Sequence, residues 1–335
     1  LPPGPPRLPI VGNLFNRPSG NQYHLRYMDS IATYGPIMSL KVFGRTTIVI
    51  SDLKIANELL ERRSANYSDR PSYRMMFDVL QWWWNPAIFR YSDTWRLHRK
   101  TFNDFFHQKA VQEYTPIQDA ASYVCLRALL KTPEDFFDHV RRQAGSSVLE
   151  VVYGLKGRAY DNYIEIADKS FVSIDLAFTP GHFLIDFLPI LKYAPPWVAF
   201  KRRGKQSAKY ALAMREQPVT LVQEALADGS ATPCMITKLL ESQPHDRLDM
   251  IKNVTTVAFA AGADTTVSQN LTTIVALLHF PEVQKKAQEE VDRVIGRHRA
   301  PTCDDRTDLK YIEAITVEAL RWRPVLPLGV GHASV

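Results

Sequence analysis

The sequence predicts a mainly α-helical fold with a small β portion near the N-terminus. Three observations carry that reading. From about residue 92 onward, apolar residues recur with the 3.6-residue helical period in one segment after another. Strand-like alternation and β-branched runs are confined to residues 37–50. Of the 335 residues, 45% are apolar and 23% are charged, the proportions of a globular chain with a large core. A disordered, collagen-like or polytopic membrane chain is thereby excluded.

The elements follow in chain order. Leu1–Leu14 is rich in proline, which fixes φ and removes donors, so this lead runs extended. Ile37–Leu40 and Thr46–Ile50, joined by Gly44-Arg45, read as a hairpin, and Asp52 caps a short helix through Arg62. Helices are expected near 92–107, 115–131, 133–154, 160–177, 199–227, 249–279, 281–295 and 311–322, separated by Pro, Gly or capping residues. Asn253–Phe280 holds only one carboxylate or Lys/Arg, Asp264. Eleven of its 28 residues are Asn, Asp, Gln, Ser or Thr, too polar for a lipid-facing span, so it reads as a long buried core helix.

The net charge of +6 permits a basic face for an acidic partner or an anionic membrane. Basic residues are dispersed and no base-reading module occurs, so nucleic acid is not an expected partner. Cys125, Cys234 and Cys303 are an odd, sparse set that fits neither a disulfide framework nor a zinc site, which favours a reducing, cytosol-facing compartment. No dinucleotide fingerprint, phosphate-binding loop, H-E-x-x-H or G-x-S-x-G is present.

Chemistry concentrates in Ala261-Gly-Ala-Asp-Thr-Thr266, where Gly262, Asp264 and two threonines sit inside a helix that disfavours each of them. Thr265 can return its hydroxyl to the Ala261 carbonyl, bending the helix, and Gly262 admits a close neighbour. Asp264 and Thr265 at a local bulge would then make a proton relay. The competing account is a polar patch satisfied locally. Glu318-x-x-Arg321 pairs opposite charges on one helix face before a proline-punctuated segment, a context that favours a buried structural pair. Glu290-x-x-Arg293 has the same spacing and reads as an exposed one. Trp95-x-x-x-Arg99 suits an anionic group lying against an aromatic edge, with an ordinary basic surface helix as the alternative. Trp82-Trp83-Trp84 would line an apolar pocket or, by default, pack in the core.

Taken in order, these residues resemble the cytochrome P-450 family, the haem-thiolate monooxygenases, of the microsomal fungal type. Pro2-Pro-Gly-Pro5 through Leu14 is similar to the family's proline-rich hinge, Trp95 and Arg99 to its propionate-holding helix, Ala261–Thr266 to its oxygen groove, and Glu318-x-x-Arg321 to its haem-proximal pair. His332 stands where the family often has a propionate-binding Arg or His. The wording around Asp264 and Arg321 resembles the fungal group that includes O-methylsterigmatocystin oxidoreductase. The resemblance implies one incomplete domain over 1–335: a hinge at 1–14, an N-terminal helix and hairpin region at 15–62, and a helical core at 63–335.

It further implies a haem cofactor held by Trp95, Arg99, Ala261, Gly262 and His332, with Asp264 and Thr265 passing protons to dioxygen. Electrons would come from NADPH through a reductase docked on the basic face near Arg96, Arg99 and Lys100, and the substrate would be lipophilic. The location implied is the cytosolic face of the endoplasmic reticulum membrane, with Phe183–Leu191 dipping into the bilayer surface or else forming a buried loop. The family's thiolate sits in a Phe-x-x-Gly-x-Arg-x-Cys-x-Gly loop, which none of Cys125, Cys234 and Cys303 occupies, so the ligand is expected beyond Val335. The rival expectation is a non-catalytic helical remnant that binds membrane or protein partners.

Overall fold

The computed structural model describes residues 1–18, 22–156, 158–171 and 183–335. The chain forms two compact units, each assembled from separated stretches. One comprises Leu1–Arg96, Lys169–Leu212 and Leu328–Val335; the other comprises Leu97–Asp168 and Ala213–Pro327.

In the first unit the proline-rich lead runs along a hairpin edge. Prolines donate nothing, so contact is made through their carbonyls. Pro2 accepts from the Ser39 hydroxyl at 2.6 Å and Pro3 from the Ser39 N–H at 2.7 Å. A Cβ on Gly4 would come within 2.0 Å of the Ser39 carbonyl oxygen, so only glycine permits this approach. Buried Asn13 fastens the end of the lead. Its amide nitrogen donates to Pro5 and Pro6 at 3.0 Å each, and its carbonyl accepts from the Lys41 N–H at 2.9 Å.

Strands β1 (Ile37–Val42) and β2 (Arg45–Ile50) pair antiparallel with Ile37 opposite Ile50 and Val42 opposite Arg45. The turn is Phe43-Gly44, one residue earlier than the expected Gly44-Arg45. Both turn residues have positive φ, +45° and +82°, which a two-residue turn matched to strand twist requires. Helix α1 (Tyr23–Tyr34) lays Tyr27 on Met38 and Leu40. Asp52 caps α2 (Leu53–Asn57) as expected, accepting from the Ile55 N–H at 2.9 Å, and a π-helical turn continues it to Arg62. A short α3 (Ser64–Tyr67) follows. Trp82 and Trp84 are fully buried and stacked 4.9 Å apart, so two of the three tryptophans are core, while Trp83 faces out.

Helix α4 spans Asp93–Phe106, and α5 (Thr115–Lys131), α6 (Phe136–Tyr153) and α7 (Arg158–Phe171) follow it. The expected continuation to residue 177 lies outside the described residues. Then come α8 (Ala199–Ala227), α9 (Met235–Ser242), α10 (Leu248–His279), α11 (Pro281–Val294) and α12 (Lys310–Trp322). The second unit is built around α10, which packs along α6 and also meets α9, α11 and α12. No helix among the described residues is long and apolar enough to cross a membrane.

Helix α8 passes through Pro218, which cannot donate to the Met214 carbonyl four residues back. The Tyr163 hydroxyl takes that carbonyl instead, at 2.8 Å. A buried polar chain joins three helices of the same unit. Arg215 Nε donates to the Asn253 carbonyl oxygen at 2.9 Å, so the Asn253 amide nitrogen faces His98 Nε2, 3.2 Å away. Arg215 also reaches Asp249 at 2.5 Å and pairs with Glu216.

The two equally spaced ion pairs exchange the roles expected of them. Glu290 is buried and accepts from the Tyr311 and Ile312 N–H groups at 2.9 and 3.0 Å, meeting the unpaired donors at the start of α12. Glu318 and Arg321 do form a two-pronged pair, 2.7 and 2.6 Å, but their side chains are 58% and 72% exposed. They lie on the 314–317–318–321 stripe, all of it exposed, whereas α12 buries Ala319 on another face.

Arg215→Met should lower stability by about 1–3 kcal/mol, since it leaves buried Asn253 with an unmet acceptor. Asp249→Asn, losing only an exposed carboxylate, should cost under ~1 kcal/mol. Denaturant midpoints measured at unchanged slope decide this, and equal losses would refute the buried-acceptor account. A Cβ on Gly262 would sit 3.0 Å from a Val148 methyl. Gly262→Ala should therefore destabilise, because overpacking of about 1–3 kcal/mol outweighs a helix gain of about 1 kcal/mol. In a Val148→Ala background the same change should become neutral or stabilising, and additive effects would refute the contact.

Candidate functional site

The Ala261–Thr266 segment lies midway along α10, which stays α-helical without interruption from Leu248 to His279. The expected bulge is therefore absent, because the threonines satisfy themselves inside the regular helix. Thr265 Oγ1 donates to the Ala261 carbonyl at 2.5 Å and Thr266 Oγ1 to the Gly262 carbonyl at 2.6 Å. The gap that Gly262 leaves is occupied by Val148 of α6. Asp264 and Thr265 are chain neighbours, but the threonine proton is committed to the backbone rather than to the carboxylate.

Asp264 is solvent-accessible, yet the protein around its carboxyl raises its pKa above the ordinary carboxylate value. The nearby Arg141 charge opposes that rise and the Asp168 charge adds to it. Arg141 and Asp168 are themselves paired. The carboxylate thus faces an Arg–Asp pair contributed by α6 and α7. Sequence reasoning missed both partners, since neither has a motif and both are distant in the chain. An acid that holds its proton more tightly than usual, one residue from a hydroxyl, is the chemically distinctive feature of this helix.

The other expected residues are placed as follows. Trp95 on α4 is half-buried against Tyr91, ring centroids 5.3 Å apart, and Arg99 is exposed one turn further along the helix. Arg96, expected on a basic face, is exposed and tied to Asp93 at 2.6 Å. His332 Nδ1 donates to the Tyr67 carbonyl at 2.7 Å, so in the neutral ring Nε2 is the bare nitrogen. Trp95 and His332 belong to the first unit; Arg99, Ala261–Thr265, Glu318 and Arg321 belong to the second.

Of the residues expected at a haem, Trp95 and Arg99 carry N–H donors that suit a propionate, while a thiolate ligand would have to come from a cysteine. Burial pushes the Cys125 thiol up, and burial together with Asp119 raises that of Cys303, so both favour the protonated form. Cys234 is buried at the start of α9, its backbone N–H held by the Thr237 hydroxyl at 2.9 Å. Among the described residues no group of three or more His, Cys, Asp or Glu is gathered to hold a metal ion.

A family model described as Cytochrome P-450 matches residues 2–335. A cytochrome P-450 monooxygenase of Armillaria gallica is 35% identical over all of this chain and 68% of its own length. One from Coprinopsis cinerea is 35% identical over 99% of the chain and 67% of its length, and one from Postia placenta is 36% identical over 99% and 65%. The chain thus spans about two thirds of the length of these relatives. A zebrafish cytochrome P-450 solved with progesterone superposes with a TM-score of 0.72 at 23% identity, over 91% of this chain and 72% of that one, a likeness of fold. With the family model matching residues 2–335 and relatives above 30% identity over nearly all of its length, the chain belongs to the cytochrome P-450 family of haem-dependent monooxygenases, and is an oxidoreductase by that membership.

Proposed function

We propose that this chain carries the proton-handling and propionate-holding parts of a monooxygenase that inserts one oxygen atom from O2 into a lipophilic substrate, with electrons from NADPH through a reductase. The observation that supports this best is the Asp264–Thr265 pair on α10. Haem, when bound, supplies the oxygen activation. Thr265 Oγ1, its own proton given to Ala261, presents lone pairs and so receives a proton before releasing one. Asp264, whose pKa the protein around its carboxyl raises, is placed to take up that proton at the edge of the helix. Trp95 and Arg99 each present N–H donors suited to a carboxylate, and His332, whose Nδ1–H is given to Tyr67, would add a donor at Nε2 only as the imidazolium. Glu318 and Arg321 brace α12 without touching substrate.

The reductase and membrane assignments are part of the same reading. Arg99 and Lys100 on α4 are exposed, which suits an acidic protein surface. Between Phe183 and Leu191 the chain buries Ile185 and Asp186 while Leu184, Leu188 and Ile190 face out, and Tyr193 and Trp197 are exposed just beyond. Such apolar and aromatic side chains near Lys192, Arg202 and Arg203 suit the surface of an anionic bilayer, which we assign to the cytosolic face of the endoplasmic reticulum. A second reading is favoured by the cysteines. The Cys125 and Cys303 thiols are pushed toward the protonated form and Cys234 is buried at the start of α9, so these residues by themselves would give a helical remnant without haem-thiolate chemistry. A thiolate-type carbon monoxide difference spectrum from this chain alone, loaded with haemin, would overturn that second reading.

In the full-length protein, Thr265→Ala should lower product formed per NADPH consumed by about tenfold or more and release the balance as peroxide. Thr265→Ser should keep most of the coupling, and unchanged coupling in the alanine variant would sink the relay. Arg99→Ala should reduce haem content after purification, with Arg99→Lys intermediate because it keeps the charge and loses the fork. Full occupancy in the alanine variant would remove Arg99 from propionate binding.

A further inference from the structure

On α10, both polar atoms of the Gln269 side chain are buried, and neither has a hydrogen-bond partner among the described residues. Its neighbours differ: Thr265, Thr266 and Thr273 all return their hydroxyls to the helix backbone. A primary amide offers two donors and accepts at its oxygen. Burying such a group unmet shifts the folding equilibrium by about tenfold or more against the native state. Packing does not call for an amide here, since methionine fills a similar space without those polar atoms.

Side chains of an α-helix lean toward its N-terminus, so the Gln269 amide covers the turn that carries Thr265. With about 100° between successive residues, Gln269 stands about 40° to one side of Thr265 around the helix axis and Asp264 about 100° to the other. The Thr265 hydroxyl thus lies between an acid and an amide. Its own proton is given to the Ala261 carbonyl at 2.5 Å, which leaves its lone pairs for an incoming donor. The amide does not supply that donor directly, because neither of its polar atoms is bonded. We propose that Gln269 holds a water against Thr265 Oγ1. The water accepts from Gln269 Nε2, donates one hydrogen to Gln269 Oε1 and turns the other toward the threonine oxygen. Those contacts fall within the two to four that a buried water takes. Gln269 is then a positioning residue, which aims a donor at the hydroxyl that must receive a proton. That the water serves a proton relay rests on the monooxygenase reading above; its binding does not.

The test is a double-mutant cycle in the full-length haem-loaded protein with Gln269→Met and Thr265→Val, each of which nearly keeps the shape and deletes the polar atoms. Urea titration should show the unfolding constant raised about tenfold by Gln269→Met. The double variant should raise it by clearly less than the product of the two single effects, because both substitutions remove the same water. A Gln269→Met variant more stable than the parent would overturn the proposal, since the amide would then be a plain orphan. Independent, multiplying effects would overturn it too, because the amide's partner would lie elsewhere. In the same Gln269→Met protein, product formed per NADPH consumed should fall about fivefold, the loss of one hydrogen bond. The solvent deuterium isotope effect on product formation should change with it, which a loss of packing alone would not produce. Coupled stabilities with product yield and isotope effect unchanged would confirm the water and count against the relay reading instead.

Discussion

A helix that runs through a protein core with hydroxyl and amide side chains on it is stable only where each of those groups finds a partner. Helix α10 meets that constraint largely by itself. Thr255, Thr256, Thr265, Thr266 and Thr273 all return their hydroxyls to the carbonyl four residues back. The rest of the second unit depends on this, because it frees the helix sides for close packing: Val267 against Val140 and Ala144, and Phe259 against the Tyr163 ring at 4.7 Å. Asn253, which the helix cannot satisfy internally, takes its partners from other elements, Arg215 and His98, whereas both polar atoms of the Gln269 side chain are buried without one among the described residues.

What the sequence revealed and what it hid follow from the range of the interactions. The ends of α5 and α8 could be read because capping residues and prolines act over one turn. The hairpin strands could be found but not their turn, since the Phe43 φ is set by strand twist rather than by residue type. Helix α9 was not foreseen. Its eight residues are too few for a clear period, and a Thr237 bond to the Cys234 N–H, not a recognised cap, opens it.

The same distinction applies to the site. The Thr265 bond to Ala261 is local and could be anticipated from the sequence, whereas the Arg141 and Asp168 charges around Asp264 arise only when α6 and α7 pack beside α10. Glu290 and Glu318 show the limit most clearly. The spacing of their charged partners is identical, yet one carboxylate is buried against a helix start and the other stands in solvent. Spacing predicts that two side chains can meet; burial is decided by what the third dimension brings against them.

The Arg215–Asn253–His98 chain also bears on how such proteins diverge. Each member dictates the polarity of the next: the guanidinium fixes which end of the amide turns away from it, and the amide fixes which imidazole nitrogen must be bare. A substitution at any one position reverses or deletes a donor that the other two were oriented to meet. These three positions, on three separate helices, are therefore energetically coupled, and a relative that changes one is expected to have changed its neighbours as well.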